Sequence, residues 1–550
     1  MAQQLTIVMA QLNLLVGDIE GNTQRIIESA KTAISEHNAD LIAFPELALT
    51  AYPPEDLLLR PSLSLRIEKA LESIIQCELP IYMVIGFPQH VGDQLFNALT
   101  VIKGKSRLGT YQKQCLPNYQ VFDERRYFSA GNSSCVLEIA DARIAFTICE
   151  DMWEAEPVAQ LKDSGAQLLI NINASPYHLN KIEDRKQLLN QRSQEGGIPI
   201  VYVNQVGGQD ELVFDGGSMV MTSQGDCHYL ADSFREGLYP VLIDLPSSSQ
   251  ASEIPEQYIA QPQSVEAQVY DSLVLGVRDY VNKNRFKGIV LGLSGGIDSA
   301  LTLAIAVDAL GASRVQAVMM PFEYTSQLSL DAAQQQAVKQ GVNYQVIPIS
   351  NIYDAFIGAL EGEFADTDVD VSEQNIQARC RGVLLMGISN KKGLLVLTTG
   401  NKSEIAVGYS TLYGDMAGGF DVLKDVSKTL VYRLSSFRNE NYGDTNEEII
   451  PQKVIDRPPS AELAPGQEDQ DSLPPYDALD QILELYVEQD FSAEAIIARG
   501  FDELVVKKVL RLVDLNEYKR RQSPIGVRLT QRGFGRDRRY PITNGWSLGE

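Results

Sequence analysis

The sequence predicts two α/β domains in succession, and three observations carry that prediction. Short apolar runs alternate with amphipathic stretches along most of the chain, as strands and helices do in layered folds. A break rich in Pro, Ser and Gln at 246–264 divides the pattern, giving domains at 1–245 and 265–550 with a linker between them. In the second domain single helical stretches separate successive strands. A doubly wound parallel sheet is expected there, with ligands at the C-terminal ends of its strands.

The elements follow from the pattern in order. Residues 5–12 read as a strand and 22–37 as a helix. The strand at 40–44 ends on Pro45-Glu46, and 81–86 is another. Residues 98–103 and 107–112 form a pair turning at Gly104, and 142–148 runs straight into Cys149. Strands at 168–172 and 200–204 continue the layer, and 216–222 closes it in antiparallel fashion. Beyond the break, a helix starting at Ser264 carries Val265, Val269, Leu273, Val277 and Val281 on one stripe. Strands at 289–293, 315–320, 344–349 and 394–398 then alternate with helices. Two polar segments, the acidic 361–372 and the Pro-, Glu- and Asp-rich 457–475, read as mobile loops or lids.

Composition narrows the function. The chain has 550 residues, with 47 Lys and Arg against 72 Asp and Glu, a net charge of −25. That balance argues against nucleic acid or an anionic membrane as partner, so any anion site must be built locally. The six cysteines and four histidines are scattered without metal-ligand spacing, so neither a disulfide framework nor a zinc site is expected. The first residues lack the pattern of a secretory signal, and no apolar run is long enough to span a bilayer, so a cytoplasmic protein is expected.

The most informative stretch is Gly292-Leu293-Ser294-Gly295-Gly296-Ile297-Asp298-Ser299. A strand, a tight glycine turn and a helix N-terminus present backbone N–H groups to a phosphate. The lysine of a P-loop is absent, and Asp298 stands at the helix start, where it suits Mg²⁺ beside phosphate. As a bare Gly-Gly turn with Asp298 capping a helix, the stretch would mean nothing. The full S-G-G-x-D-S string resembles the pyrophosphate loop of the N-type ATP pyrophosphatases. That resemblance implies ATP bound at 292–299 and cleaved to AMP and pyrophosphate.

Glu46, Lys113 and Cys149 stand at strand ends in the first domain. Attack on a carboxamide needs a thiolate, a base for its proton and a cation for the oxyanion, and these three residue types supply them. Singly, each is better read as a turn, a solvated lysine or a packed thiol. Jointly, the first domain resembles the nitrilase superfamily. The resemblance implies an α-β-β-α sandwich with Glu46 as general base, Lys113 on the oxyanion, Cys149 as nucleophile and Glu124 as an accessory acid. It further implies glutamine as substrate, bound by Tyr119, Ser175 and Lys181, on the strength of the run Asn171-Ile172-Asn173-Ala174-Ser175-Pro176-Tyr177.

In the second domain Asn375–Arg381 lies on an expected helix, Thr399–Glu404 follows a strand, and Lys428 follows a Gly-rich turn at 414–420. A reaction between a carboxylate and ATP gathers negative charge and needs Mg²⁺ and cations. Asp298 and Glu404 are candidate metal ligands, and Arg379 and Lys428 candidate phosphate or adenylate contacts. These strings resemble the NAD synthetase family over about residues 265–545. The resemblance implies ATP at Thr399 and deamido-NAD⁺ at Asn375, Arg379, Glu404 and Lys519. Lys519 opens a tail that carries eight Lys and Arg by Arg539. It also implies a homo-oligomer built on dimers. Ammonia from glutamine would reach the adenylylated nicotinate carboxylate along a protected passage. Two rivals stay open here: an amidotransferase of the same ligase class acting on another acceptor, and a catalytically dead nucleotide or nitrogen sensor.

Overall fold

The computed structural model describes residues 3–162, 164–245, 251–442 and 448–546. It divides into two compact units, Met1–Pro262 and Gln263–Glu550. Of the expected linker, residues 246–250 lie outside the described residues. The rest of that stretch up to 262 stays with the first unit, where Glu253 bridges to Asp244 and Ile259 to Leu230.

The first unit holds two six-stranded sheets. One runs Gly237–Leu245, Gln3–Gln11, Leu41–Ala43, Tyr82–Val91, Gln94–Lys103, Ser106–Gln112 across its width. The other runs Cys227–Leu230, Met219–Met221, Ile200–Asn204, Leu168–Asn173, Ala142–Ile148, Cys135–Ile139. Both are mixed: Gln3–Gln11 is parallel to Leu41–Ala43 and antiparallel to Gly237–Leu245. Strand alternation sorts the side chains into layers. Leu5, Ile7 and Met9 share a core with Ile144, Phe146, Ile170 and Val201 of the other sheet. Val8 and Ala10 point the other way, into a core with the helices Ile19–His37 and Pro61–Gln76. Ala145, Leu169 and Ile200 do the same for the outer face of the second sheet, against the helices Ala155–Lys162 and Lys181–Gly196. The layers therefore read α-β-β-α, as expected.

The second unit is built on a five-stranded sheet in the order Asn343–Val346, Val315–Met319, Ile289–Gly292, Leu395–Thr398, Phe420–Asp421, with every pairing parallel. Helix Val371–Lys392 covers one face through Ile376, Cys380 and Leu385. The stripe Val269, Leu273, Val277 and Val281 is buried on helix Val265–Lys283, while Val265 at its first turn is 39% exposed. A separate helical core, not foreseen from the sequence, gathers Leu479, Ile482, Val506, Val509 and Leu510. Among the described residues no helix is long and apolar enough to cross a membrane.

The basic tail has an internal explanation. Arg528 pairs with Asp537, Arg532 and Arg538 both reach Asp490, and Arg520 donates to Glu517 and to the carbonyls of Ala406 and Val513. These cations are spent on folding the tail back onto its own unit.

Candidate active sites

In the first unit, strand Leu41–Ala43 delivers Glu46 into the layer beneath Gly86, whose absent Cβ would lie 2.4 Å from the Leu47 nitrogen. Only glycine lets that neighbouring strand pass so close. Lys113 leaves the end of strand Ser106–Gln112 fully buried, its backbone N–H held on the Asn97 carbonyl at 2.8 Å. Its ammonium lies 2.7 Å from Glu46 Oε1 and 2.8 Å from Glu124 Oε1. Asn97 Nδ2 donates to the same Glu46 oxygen at 2.7 Å, and the Ala174 N–H donates to Glu46 Oε2 at 3.0 Å. Tyr52 donates to Glu124 Oε1 at 3.0 Å, while Glu124 Oε2 is buried with no hydrogen-bond partner.

Cys149 sits where strand Ala142–Ile148 turns into a 3₁₀ helix, at φ 44° and 4% exposed. A left-handed non-glycine residue is strained, and such strain persists only where neighbours enforce it. Asp151 supplies the enforcement. Its Oδ1 accepts from the Gln114 and Cys115 N–H groups at 3.0 and 2.8 Å, and its Oδ2 from the Ile148 N–H at 3.0 Å and Tyr111 at 2.8 Å. One carboxylate thus ties the Cys149 turn to the chain just after Lys113.

Burial, then the Glu46 carboxylate, pushes the Cys149 thiol well above its ordinary range, against the pull of Lys113. Thiolate chemistry at Cys149 would therefore need a base to take the proton. Burial disfavours the Lys113 ammonium, but Glu124 and Glu46 outweigh it and hold the lysine charged. Burial raises Glu124 to about 7, opposed by Lys113.

The three residues expected to hold glutamine flank this centre. Tyr119 donates to Glu150 Oε1 at 2.8 Å, and Lys181 Nζ stands 4.0 Å over the Trp153 ring. Burial, then Arg185, lowers Lys181 to about 8. Ser175 is held from behind by the buried Arg185, which donates to its carbonyl at 3.0 Å and pairs with both Asp215 oxygens at 2.9 and 2.7 Å. Asn97, Tyr52, Asp151 and Arg185 escaped the sequence reading, because a lone buried polar residue leaves no pattern.

In the second unit, strand Ile289–Gly292 leads through Ser294-Gly295-Gly296 into helix Ile297–Leu310. Gly295 takes φ 81°, and a Cβ on it would lie 2.3 Å from the Ser329 carbonyl oxygen. The helix starts at Gly296 without a side-chain cap, so its first N–H groups face outward, toward an anion if one is present. Ser294 and Ser299 hydroxyls lie 3.0 Å apart across the turn. A cavity of about 290 Å³ opens here, lined by Gly292, Leu293, Ser294, Gly296, Ile297, Asp298 and Ser299 together with Thr399, Glu404 and Lys428. The Lys428 ammonium lies 2.6 Å from Asp298 Oδ2 and 3.0 Å from Glu404 Oε1. Burial, and then Asp298 opposing Lys428, leaves Glu404 raised to about 8.

The remaining predicted contacts lie off the cavity wall. Thr411 donates to Asn375 Oδ1 at 2.8 Å, Arg379 Nε to the Leu412 carbonyl at 3.2 Å, and Lys519 Nζ to the carbonyls of Gly408 and Ser410 at 2.6 and 2.8 Å. All three grip one loop, 408–412. Arg379 is exposed, whereas Arg381, two positions on, lines the cavity with its Nε on the Met320 carbonyl at 3.0 Å. Helical periodicity alone does not say which of two arginines faces inward.

Residues 6–253 match the carbon-nitrogen hydrolase family and residues 269–523 the NAD synthase family. A glutamine-dependent NAD(+) synthetase of Acinetobacter baylyi is 50% identical over 541 residues, 98% of either chain. The chain belongs to the glutamine-dependent NAD(+) synthetases. The Thermotoga maritima member of this family is 43% identical over 98% of this chain and 99% of its own. The structure of the Acinetobacter baumannii glutamine-dependent NAD(+) synthetase in complex with ADP is 47% identical, with a TM-score of 0.80 over 100% of both chains. The family's Cytophaga hutchinsonii structure, at 22% identity, shares the fold with a TM-score of 0.85. The chain is therefore an ATP-dependent ligase that forms NAD⁺ with glutamine as nitrogen donor, and both sequence rivals fall.

Proposed function

We propose that Cys149, Lys113 and Glu46 release ammonia from glutamine, and that the cavity at 292–299 activates deamido-NAD⁺ with ATP to receive it. The observation that carries the first half is the single buried cluster in which Lys113 bridges Glu46 and Glu124 beside Cys149. Glu46, both of whose oxygens are already fixed by donors, takes the thiol proton as sulfur attacks the carboxamide. Lys113 stabilises the oxyanion, Glu46 returns the proton to the departing nitrogen, and the C–N bond breaks to release ammonia as the thioester forms. Water then releases glutamate. Tyr119, Ser175 and Lys181 hold the amino-acid end of the substrate.

At the second centre the nicotinate carboxylate attacks the α-phosphorus of ATP, pyrophosphate leaves, and ammonia displaces AMP to give the amide. Adenylylation is needed because a carboxylate is a poor electrophile. Asp298 and Glu404 converge on one cation, Lys428 Nζ, with hard oxygen donors. Among the described residues no group of three or more His, Cys, Asp or Glu gathers to hold a metal. Two carboxylates with phosphate oxygens as further ligands suit Mg²⁺, which is seldom caged by protein alone. When bound, Mg²⁺ would neutralise phosphate charge. Asn375, Arg379 and Lys519, through the 408–412 loop, shape the deamido-NAD⁺ side. On the family resemblance, the enzyme is a dimer-based homo-oligomer, which light scattering of the purified enzyme tests.

Cys149→Ala tests the division of labour. It should abolish NAD⁺ formation from glutamine and leave formation from ammonium salts at about the wild-type rate. Loss of both activities would refute the assignment.

A further inference from the structure

We propose that Arg457 is a catalytic residue of the synthetase centre, contacting the pyrophosphate that leaves ATP and brought there by the polar segment 457–475. This rests on the reading above that the reaction yields AMP and pyrophosphate. The segment was legible only as a loop or lid. In the structure its beginning forms one wall of the nucleotide cavity, with Arg457, Pro458, Ser460 and Glu462 all facing the space bounded by the glycine turn.

Arg457 stands close to that turn. Its Nη1 donates to Ser329 Oγ at 2.8 Å, and Ser329 is the residue whose carbonyl fills the place of a Gly295 Cβ. The guanidinium therefore lies one residue from the corner that cradles phosphate. Its side chain is 15% exposed, so its surroundings are largely protein and its charge is weakly screened.

The charge balance of the cavity points the same way. Among the described residues three cations line it: Lys428, Arg381 and Arg457. Lys428 is shared between Asp298 and Glu404, and Arg381 Nε is engaged by the Met320 carbonyl. Arg457 has a neutral hydroxyl on one arm, and on the other Glu462 Oε1 at 3.3 Å. That is longer than the roughly 2.7–2.9 Å of a tight charge-assisted pair. Glu462 Oε1 also accepts from Ser326 and Ser329 hydroxyls, each at 2.8 Å, so its charge is divided among three donors. Glu462 thus fastens the segment to the start of helix Gln327–Gln340 and aims the arginine without neutralising it. Pro458 and Pro459 restrict the backbone just beyond it.

The step that needs such a group is explicit. A carboxylate oxygen of the nicotinate forms a bond to the α-phosphorus. The bond from that phosphorus to the bridging oxygen breaks, and its electron pair leaves with pyrophosphate. No proton moves. The glycine loop has N–H and O–H donors but no cation of its own, and a planar guanidinium fork matches two phosphate oxygens at once.

The test uses the full-length enzyme with ammonium as donor, wild type against Arg457→Gln and Arg457→Lys, with product-inhibition constants for pyrophosphate and AMP measured separately. Arg457→Gln should raise the pyrophosphate constant about 10-fold or more and leave the AMP constant within about twofold. Its turnover should fall on the order of 10²-fold, with partial recovery in Arg457→Lys, which restores the charge without the fork. A pyrophosphate constant within about twofold of wild type overturns the proposal. So does a matched rise in both constants, the mark of a collapsed segment. Phosphorus NMR of the wild-type products separates the two levels: ADP and phosphate would sink the underlying reading, whereas AMP and pyrophosphate with an indifferent Arg457→Gln would sink this proposal alone.

Discussion

Glu124 is the group through which pH is expected to act on the Glu46–Lys113–Cys149 cluster. Burial raises it from 4.5 to about 7, against the opposing pull of Lys113. Below about 7 the folded protein holds a proton there that an unfolded chain would give up down to its ordinary 4.5. By linkage this group therefore favours the folded state at low pH, and that contribution is lost as pH rises through about 7. Activity runs the opposite way. A protonated Glu124 deprives Lys113 of one of its two charged acceptors, so ammonia release from glutamine should climb as pH rises through about 7. Glu124→Gln should flatten that limb and lower its plateau; an unshifted limb in the variant would assign it to another group. Glu46, Lys113 and Cys149 drew notice because each stands just past a strand end with a reactive group. Asn97 and Asp151 were not, since what gives them meaning is a partner 51 or 36 residues away.

Among the elements, the strands were the legible part. Central strands such as Leu41–Ala43, Leu168–Asn173 and Ile200–Asn204 are buried on both faces and read as apolar runs, whereas partly exposed edge strands such as Cys135–Ile139 and Gly237–Leu245 left no such mark. Less visible was how helix starts are clamped around the cavity at 292–299. Asp480, on helix Tyr476–Leu483, accepts the Ser403 hydroxyl on one oxygen, and on the other the Thr429 N–H at 2.9 Å and hydroxyl at 2.7 Å. The Lys428 N–H in turn donates to Ser403 Oγ at 2.9 Å. One carboxylate thus sets the first turns of helices Lys402–Val407 and Lys428–Asn441, and with them Glu404 and Lys428. Asp480→Ala removes the shared acceptor and leaves buried donors unmet, at a cost of about 1–3 kcal/mol. The expected outcome is a lower unfolding midpoint, together with a raised KM for ATP measured with ammonium. A change in stability with KM unmoved would mean that the clamp does not reach the site. No periodicity could have marked Asp480, which reads as one more acid on an amphipathic helix.

At the scale of the whole molecule, the two units have cores that close on themselves. Among the described residues, three apolar clusters lie wholly at or before Ala260, and two others begin at Val290 and Ala406. Each unit exceeds 250 residues, ample for a domain that buries its own core. The composition break at 246–264 was read as a linker between two domains. It could not show that 251–262 return to pair with the first unit, because bridges at Glu253 and Ile259 need no apolar pattern. The synthetase chemistry proposed above draws every residue from one unit, from Gly292 to Lys519. A chain of residues 263–550 should therefore fold, bind ATP and make NAD⁺ from deamido-NAD⁺ and ammonium, while glutamine gives no product at any concentration. Activity with glutamine from that fragment would place an amide-cleaving group in the second unit. A folded fragment inert toward ammonium would show that the synthetase centre is completed by groups outside 263–550.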